Sequence, residues 1–155
     1  MTITPISGAQ QAPVEYTNPV IDRNFPDPSI LRDKDVYYAY ATNGEGQNMP
    51  CARSADLIHW SDPVDAMPQM PPWTKFAPGL TWAPNVRKFG GAYVVYFTAR
   101  DKVHDTQAIG VAVSAGPEGP FSSMAETPLV WRGGVPYLLG PSHWPQQAPG
   151  PKRRR

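Results

Sequence analysis

Hydrophobic residues in this chain come in short runs, each bounded by turn residues, and no amphipathic-helix spacing appears among them. Ile30-Leu31-Arg32 reads as a first short strand, and Asp33-Lys34-Asp35 as a hairpin turn. Val36 to Thr42, rich in aromatic and β-branched residues, reads as a second strand. Asn43 to Gln47 is a glycine-containing loop, and Met49 to Ser54 a third strand. Asp56-Leu57-Ile58-His59-Trp60 leads through Ser61-Asp62-Pro63-Val64 to a fourth segment. The pattern predicts a four-stranded antiparallel meander, the unit of a propeller blade or an up-and-down barrel.

The pattern then recurs. Pro84-Asn85-Val86-Arg87 follows Pro28-Ser29-Ile30-Leu31 at an offset of 56 residues, and Gly90-Gly91 replaces Lys34-Asp35 as the turn. Tyr93, Tyr96 and Thr98 fall 56 residues after Tyr37, Tyr40 and Thr42. Ile109 to Ser114 answers the third strand, and Pro117-Glu118-Gly119-Pro120-Phe121 closes the unit. A period near 56 with four strands per period is a blade repeat. The expected organisation is a flexible arm over 1–17 and two blades over about 18–66 and 80–130, with a linker over 67–79. An irregular tail over 131–155 completes it. Pro68, Pro71, Pro72 and Pro78 stiffen the linker, which should run toward the centre of the repeat or across its face.

Composition supports strands and turns. Of 155 residues, 20 are proline and 13 glycine, while only 17% are charged. The net charge of +1 becomes −3 without the terminal Lys152-Arg153-Arg154-Arg155, so the body is mildly acidic and no nucleic-acid partner is expected. The 127–155 stretch has no acidic residue and six prolines, the composition of a truncated or frame-shifted end. The single cysteine, Cys51, forbids an intrachain disulfide and is expected as a small core residue. Residues 1–17 show neither the basic nor the apolar region of a signal peptide, and no run is long enough to span a bilayer, so no membrane partner is expected. His59, His104 and His143 have no ligand spacing, and neither a metal nor a cofactor is predicted.

The candidate chemistry begins at Asn24-Phe25-Pro26-Asp27-Pro28-Ser29. Prolines on both sides bias Asp27 toward a stiff, extended backbone at a strand entrance, a suitable place for a catalytic carboxylate. On these residues alone the plainer reading prevails, a turn that opens a strand. Asp33, Asp35, Asp56, Glu118 and Glu126 are expected as solvated turn or loop residues. Trp73 and Trp82 could each stack on a sugar ring or fill a core.

Several motifs, in order over about residues 18–130, resemble glycoside hydrolase family 43. They are Asn18-Pro19-Val20 with Phe25-Pro26-Asp27-Pro28-Ser29-Ile30; Val36-Tyr37-Tyr38-Ala39-Tyr40; Arg53 to Trp60; Trp82-Ala83-Pro84-Asn85-Val86; Gly90 to Tyr96; and Ile109 to Phe121. The resemblance implies an all-β fold, a five-bladed β-propeller of which this chain supplies about the first two blades. It implies inverting hydrolysis of arabinose- or xylose-containing oligo- or polysaccharides. Asp27 matches the general base and Trp82 an aromatic lining the sugar subsite. The family's pKa-tuning Asp and general-acid Glu belong to the third and fourth blades, so this chain alone is expected to be catalytically incomplete. An inverting enzyme needs both a base and an acid, with carboxyls roughly 6.5–9.5 Å apart. Secretion suits the family, although no signal is visible. The rivals are a non-catalytic carbohydrate-binding module, a structural β-repeat, and the related propeller family of invertases and levansucrases.

Overall fold

The computed structural model describes residues 15–75, 80–123 and 125–131. They form two four-stranded antiparallel sheets, each in sequential order. The first holds β1 (Ser29–Asp33), β2 (Val36–Tyr40), β3 (Pro50–Ser54) and β4 (Val64–Asp65). The second holds β5 (Thr81–Phe89), β6 (Ala92–Arg100), β7 (Gln107–Ser114) and β8 (Val130–Trp131). No helix occurs among the described residues, and the chain is all-β as expected. Most of the expected arm and tail lies outside the described residues.

The two leading hairpins share one register. Ser29 pairs with Tyr40 and Asp33 with Val36 in the first sheet. Asn85 pairs with Tyr96 and Phe89 with Ala92 in the second, each 56 residues later. Asp33 therefore belongs to β1, and the turn is the two-residue Lys34-Asp35. Lys34 and Gly90 occupy equivalent positions with φ of 55° and 57°, the positive φ that the first residue of a two-residue hairpin turn requires; at the second position Gly91 has φ of 90° and Asp35 does not have a positive φ.

The sheets stack face to face, with β1 alongside β5. Strand alternation sends Tyr93, Val95, Phe97 and Ala99 of β6 into the core, where Leu31, Tyr40 and Cys51 of the first sheet and Met49, just before β3, meet them. Burying a side chain such as Phe97 contributes about 1.5–3 kcal/mol. Trp73 is buried and stacks on Phe97, ring centroids 6.2 Å apart, in a space that a side chain at Gly110 would fill. The proline-rich connection runs across one end of the second sheet. There the Lys75 N–H donates to the Arg100 carbonyl at 2.7 Å and the Lys102 N–H to the Trp73 carbonyl at 3.1 Å.

Candidate functional site

The antiparallel order brings five segments to one end of the sheets. They are the start of β1, the end of β2, the connection after β4, the start of β5 and the β6–β7 loop. Asp27 lies at this end and is exposed. Its backbone is not extended, contrary to the bias of the flanking prolines: φ is 52°, in the left-handed region. Aspartate tolerates that region better than most residues, and its surroundings hold it there. The Thr42 N–H donates to the Pro26 carbonyl at 3.0 Å, and the Thr42 hydroxyl donates to Asp27 Oδ2 at 2.8 Å.

The second sheet supplies the other wall. A bulge between Trp82 and Asn85 interrupts the β5–β6 register. At this bulge Ala83 has φ of 44°, and its N–H donates to Thr42 Oγ1 at 2.9 Å. Trp82, half-buried, is therefore carried to within one residue of the hydrogen-bonded chain that ends on Asp27. The next residue along, Asn43, bonds the Thr81 carbonyl through both its backbone N–H, at 3.1 Å, and its side-chain amide. The two residues singled out in the sequence, Asp27 and Trp82, thus lie at the same end of the sheets. Trp73 does not join them, because it is core.

A cavity of about 700 Å³ opens at the same end, lined by Asn48, Gln69, Met70, Thr74, Leu80 and Thr81 among others. Proline walls, scattered amide and hydroxyl groups and the two lysines Lys75 and Lys102 give it a mixed lining. The Lys75 ammonium pairs with Asp105 at 2.8 Å, and the Lys102 ammonium donates to the Pro72 carbonyl.

The other carboxylates have structural partners. Asp65 accepts backbone N–H bonds from Asn48, Met49 and Met67 at 2.9–3.0 Å. Buried Asp101 takes the His104 ring and the Val103 and His104 N–H groups. Burial alone would raise its pKa, but these hydrogen bonds outweigh burial and hold the carboxyl below the usual range. Asp56 caps its own loop through the Ile58 and His59 N–H groups and the His59 ring, which together hold its carboxyl well down. Glu118 lies 3.8 Å from the Arg53 guanidinium. Asp33 departs from the solvated turn residue expected. It is half-buried and pairs with the Lys88 ammonium at 2.7 Å and with the Tyr93 hydroxyl, tying the first sheet to the second. The Lys88 bond, then the Tyr93 bond, lowers its pKa. Burial pushes the Cys51 thiol well above its usual range, which suits a core residue. Among the described residues no group of three or more His, Cys, Asp or Glu could hold a metal. No helix there is long and apolar enough to cross a membrane. His143 lies outside the described residues.

Thr42 is the functional candidate that motif reading missed. Its signal was its match to Thr98 in the repeat, read there only as strand pattern.

Repeated, stacked β-meanders of this kind define a class of architecture, and the sequence places the chain within it. The model of the family described as Glycosyl hydrolases family 43 matches residues 16–138, and the chain belongs to this family. It is 31% identical over 131 residues to an extracellular endo-α-(1→5)-L-arabinanase of Thermotoga petrophila, a match covering 75% of this chain and 26% of that protein. A thermostable family-43 glycoside hydrolase of solved structure superposes with a TM-score of 0.66 at 29% identity, covering 78% of this chain and 38% of that one. The endo-arabinase of Bacteroides thetaiotaomicron gives 0.62 at 26% identity, covering 77% and 41%. The chain thus spans about a quarter of the curated relative's length and about two fifths of each solved structure.

Proposed function

We propose that this chain supplies the general-base side of an inverting glycoside hydrolase. Its substrate would be an arabinose- or xylose-containing glycan, with α-1,5-linked arabinan foremost. The carrying observation is the exposed Asp27 carboxylate, held by Thr42, whose hydroxyl in turn accepts from the N–H of Ala83, the residue after Trp82. In the reaction, Asp27 takes a proton from water. The water oxygen attacks the anomeric carbon from one face. The glycosidic C–O bond breaks on the other face, and a carboxylic acid gives its proton to the leaving oxygen. The indole offers an apolar surface to the C–H face of the sugar ring.

The structure supports an incomplete site. Asp33, Asp56, Asp65, Asp101 and Asp105 are committed to other partners, which leaves none of them to act as the acid opposite Asp27. The two sheets, over about 18–66 and 80–130, are read as the first two blades of a five-bladed propeller whose further blades carry the missing acids. The arabinanase names of the Thermotoga and Bacteroides relatives favour arabinan over xylan.

The test is Asp27→Asn, which keeps the shape and removes the base. The 155-residue chain alone is expected to bind arabino-oligosaccharide with little turnover; efficient hydrolysis by it would overturn the incompleteness. In the length of protein that hydrolyses debranched arabinan, Asp27→Asn should lower kcat by about 100-fold or more and leave binding nearly unchanged. Loss of binding instead would favour a carbohydrate-binding module.

A further inference from the structure

We infer that Thr42 is the positioning residue for Asp27. Its single hydroxyl proton holds Oδ2, leaving Oδ1 as the oxygen that takes the proton of water, and this arrangement forms only when the second sheet is docked. The inference rests on the reading of Asp27 as the base.

The hydrogen-bond directions follow from the groups themselves. A backbone N–H can only donate, so the Ala83 N–H, 2.9 Å from Thr42 Oγ1, occupies an acceptor site on that oxygen. An ionised carboxylate can only accept, so the bond of 2.8 Å to Asp27 Oδ2 uses the hydroxyl proton. The chain therefore runs one way, from Ala83 N–H through Thr42 O–H to Asp27 Oδ2. Each bond in such a chain polarises the next.

Thr42 is also built to hold its place. It is buried at 8% exposure, while the carboxylate it grips is exposed. A β-branched side chain has few rotamers. Its backbone N–H is fixed on Pro26 on one side of Asp27, and Asn43 beside it is fixed on Thr81. Thr81 and Ala83 both belong to β5, so the second sheet supplies half of the clamp. Undocked, the hydroxyl would lose its donor, and the base would lose the restraint that selects its rotamer.

The test compares Thr42→Val, which keeps the shape and removes the hydroxyl, with Thr42→Ser, which keeps the hydroxyl. Crystal structures of the full chain provide the first readout. The parent and Thr42→Ser should show one Asp27 rotamer with Oδ2 on the hydroxyl, and Thr42→Val more than one. A single unchanged rotamer in Thr42→Val overturns the inference. Kinetics in the length of protein that hydrolyses debranched arabinan provide the second. Thr42→Val should lower kcat by about 100-fold, the scale of a misplaced catalytic group, with KM changed by less than about twofold. Thr42→Ser should recover most of that loss. An equal loss in both variants, or a rise in KM alone, overturns it. If valine prevents folding, Thr42→Ala removes the same hydroxyl and is read the same way. Failure of the base reading is separable: Asp27→Asn would then retain turnover while the rotamer result stood.

Discussion

The two sheets begin alike and end differently. Their leading hairpins pair in the same register 56 residues apart, and the positions before the paired prolines, Asp27 and Ala83, both have positive φ. Yet one carries a carboxylate and the other a methyl group. The repeat thus builds the same backbone bend twice and uses it in two ways. In the first sheet the bend presents a side chain to solvent. In the second it aims a backbone N–H at Thr42. The closing segments diverge further. After Ser54 the chain caps itself, through the Ser54 hydroxyl and the Asp56 carboxylate. After Ser114 the equivalent stretch reaches across to the first sheet. There the Phe121 N–H donates to the Ala66 carbonyl at 2.7 Å, and the Tyr40 hydroxyl to the Pro117 carbonyl at 2.6 Å. The two copies are therefore joined both through their matching hairpins, at Thr42 with Ala83 and Asp33 with Lys88, and through closing segments in which they differ; the candidate site lies at the first of these joints.

The largest effect should come from breaking that crossing. Gly119 has φ of 87°, and a Cβ there would run into the Ala66 carbonyl. Gly119→Val adds an unfavourable backbone conformation to a clash with backbone, together about 3–5 kcal/mol. Thermal unfolding of the chain should show a steep loss of stability. Gly116→Ala is the control: its added Cβ would meet its nearest neighbour, the Gly119 carbonyl oxygen, at an ordinary 3.6 Å, and it should unfold nearly like the parent. Equal behaviour of the two variants would mean that the crossing does not hold the sheets together.

A smaller effect, confined to acid, should come from the second joint, Asp33 with Lys88 and Tyr93. The folded pKa of Asp33 is lowered, so between that value and the ordinary carboxylate value the unfolded chain binds more protons. The stability from this joint is present above about pH 4 and is lost as pH falls through the folded value. Asp33→Asn should therefore lower the melting temperature near neutral pH and flatten its fall in acid. A parallel acid fall in parent and variant would remove Asp33 from the account.

The strands, the repeat and the position of Asp27 were legible because they depend on neighbours in sequence. The aromatic runs and the paired turns set the register of each hairpin. Its companions were not legible, because they depend on the other sheet. Thr42 looked like the end of a strand until Ala83, 41 residues on, donated to it. Asp33 looked like a turn acid until Lys88 and Tyr93 covered it. The prolines around Asp27 suggested an extended backbone, a local bias that the bonds from Thr42 to Pro26 and to the carboxylate overrode. Local signals located the candidate base, and tertiary contacts decided how it is held.

The smallest effect tests whether the two hairpin turns are interchangeable. Lys34 and Gly90 share a positive φ, 55° and 57°, although Gly91 also has a positive φ of 90° and Asp35 does not. For lysine this conformation costs about 1–2 kcal/mol in the folded state. Glycine adopts it freely, but the unfolded chain then gains entropy worth about 0.4–1 kcal/mol. The folded-state term is the larger, so Lys34→Gly should stabilise the chain by about 0.5 kcal/mol, and Gly90→Lys should destabilise it by a similar amount. Both positions are exposed, and open space surrounds the missing Cβ of Gly90, so packing contributes little to either change. Chemical denaturation resolves differences of this size when midpoints shift at constant slope. Opposite shifts of similar size would show that the two turns obey one backbone rule. Shifts of the same sign would show that the surroundings of each sheet, and not the shared φ, decide which residue its turn accepts.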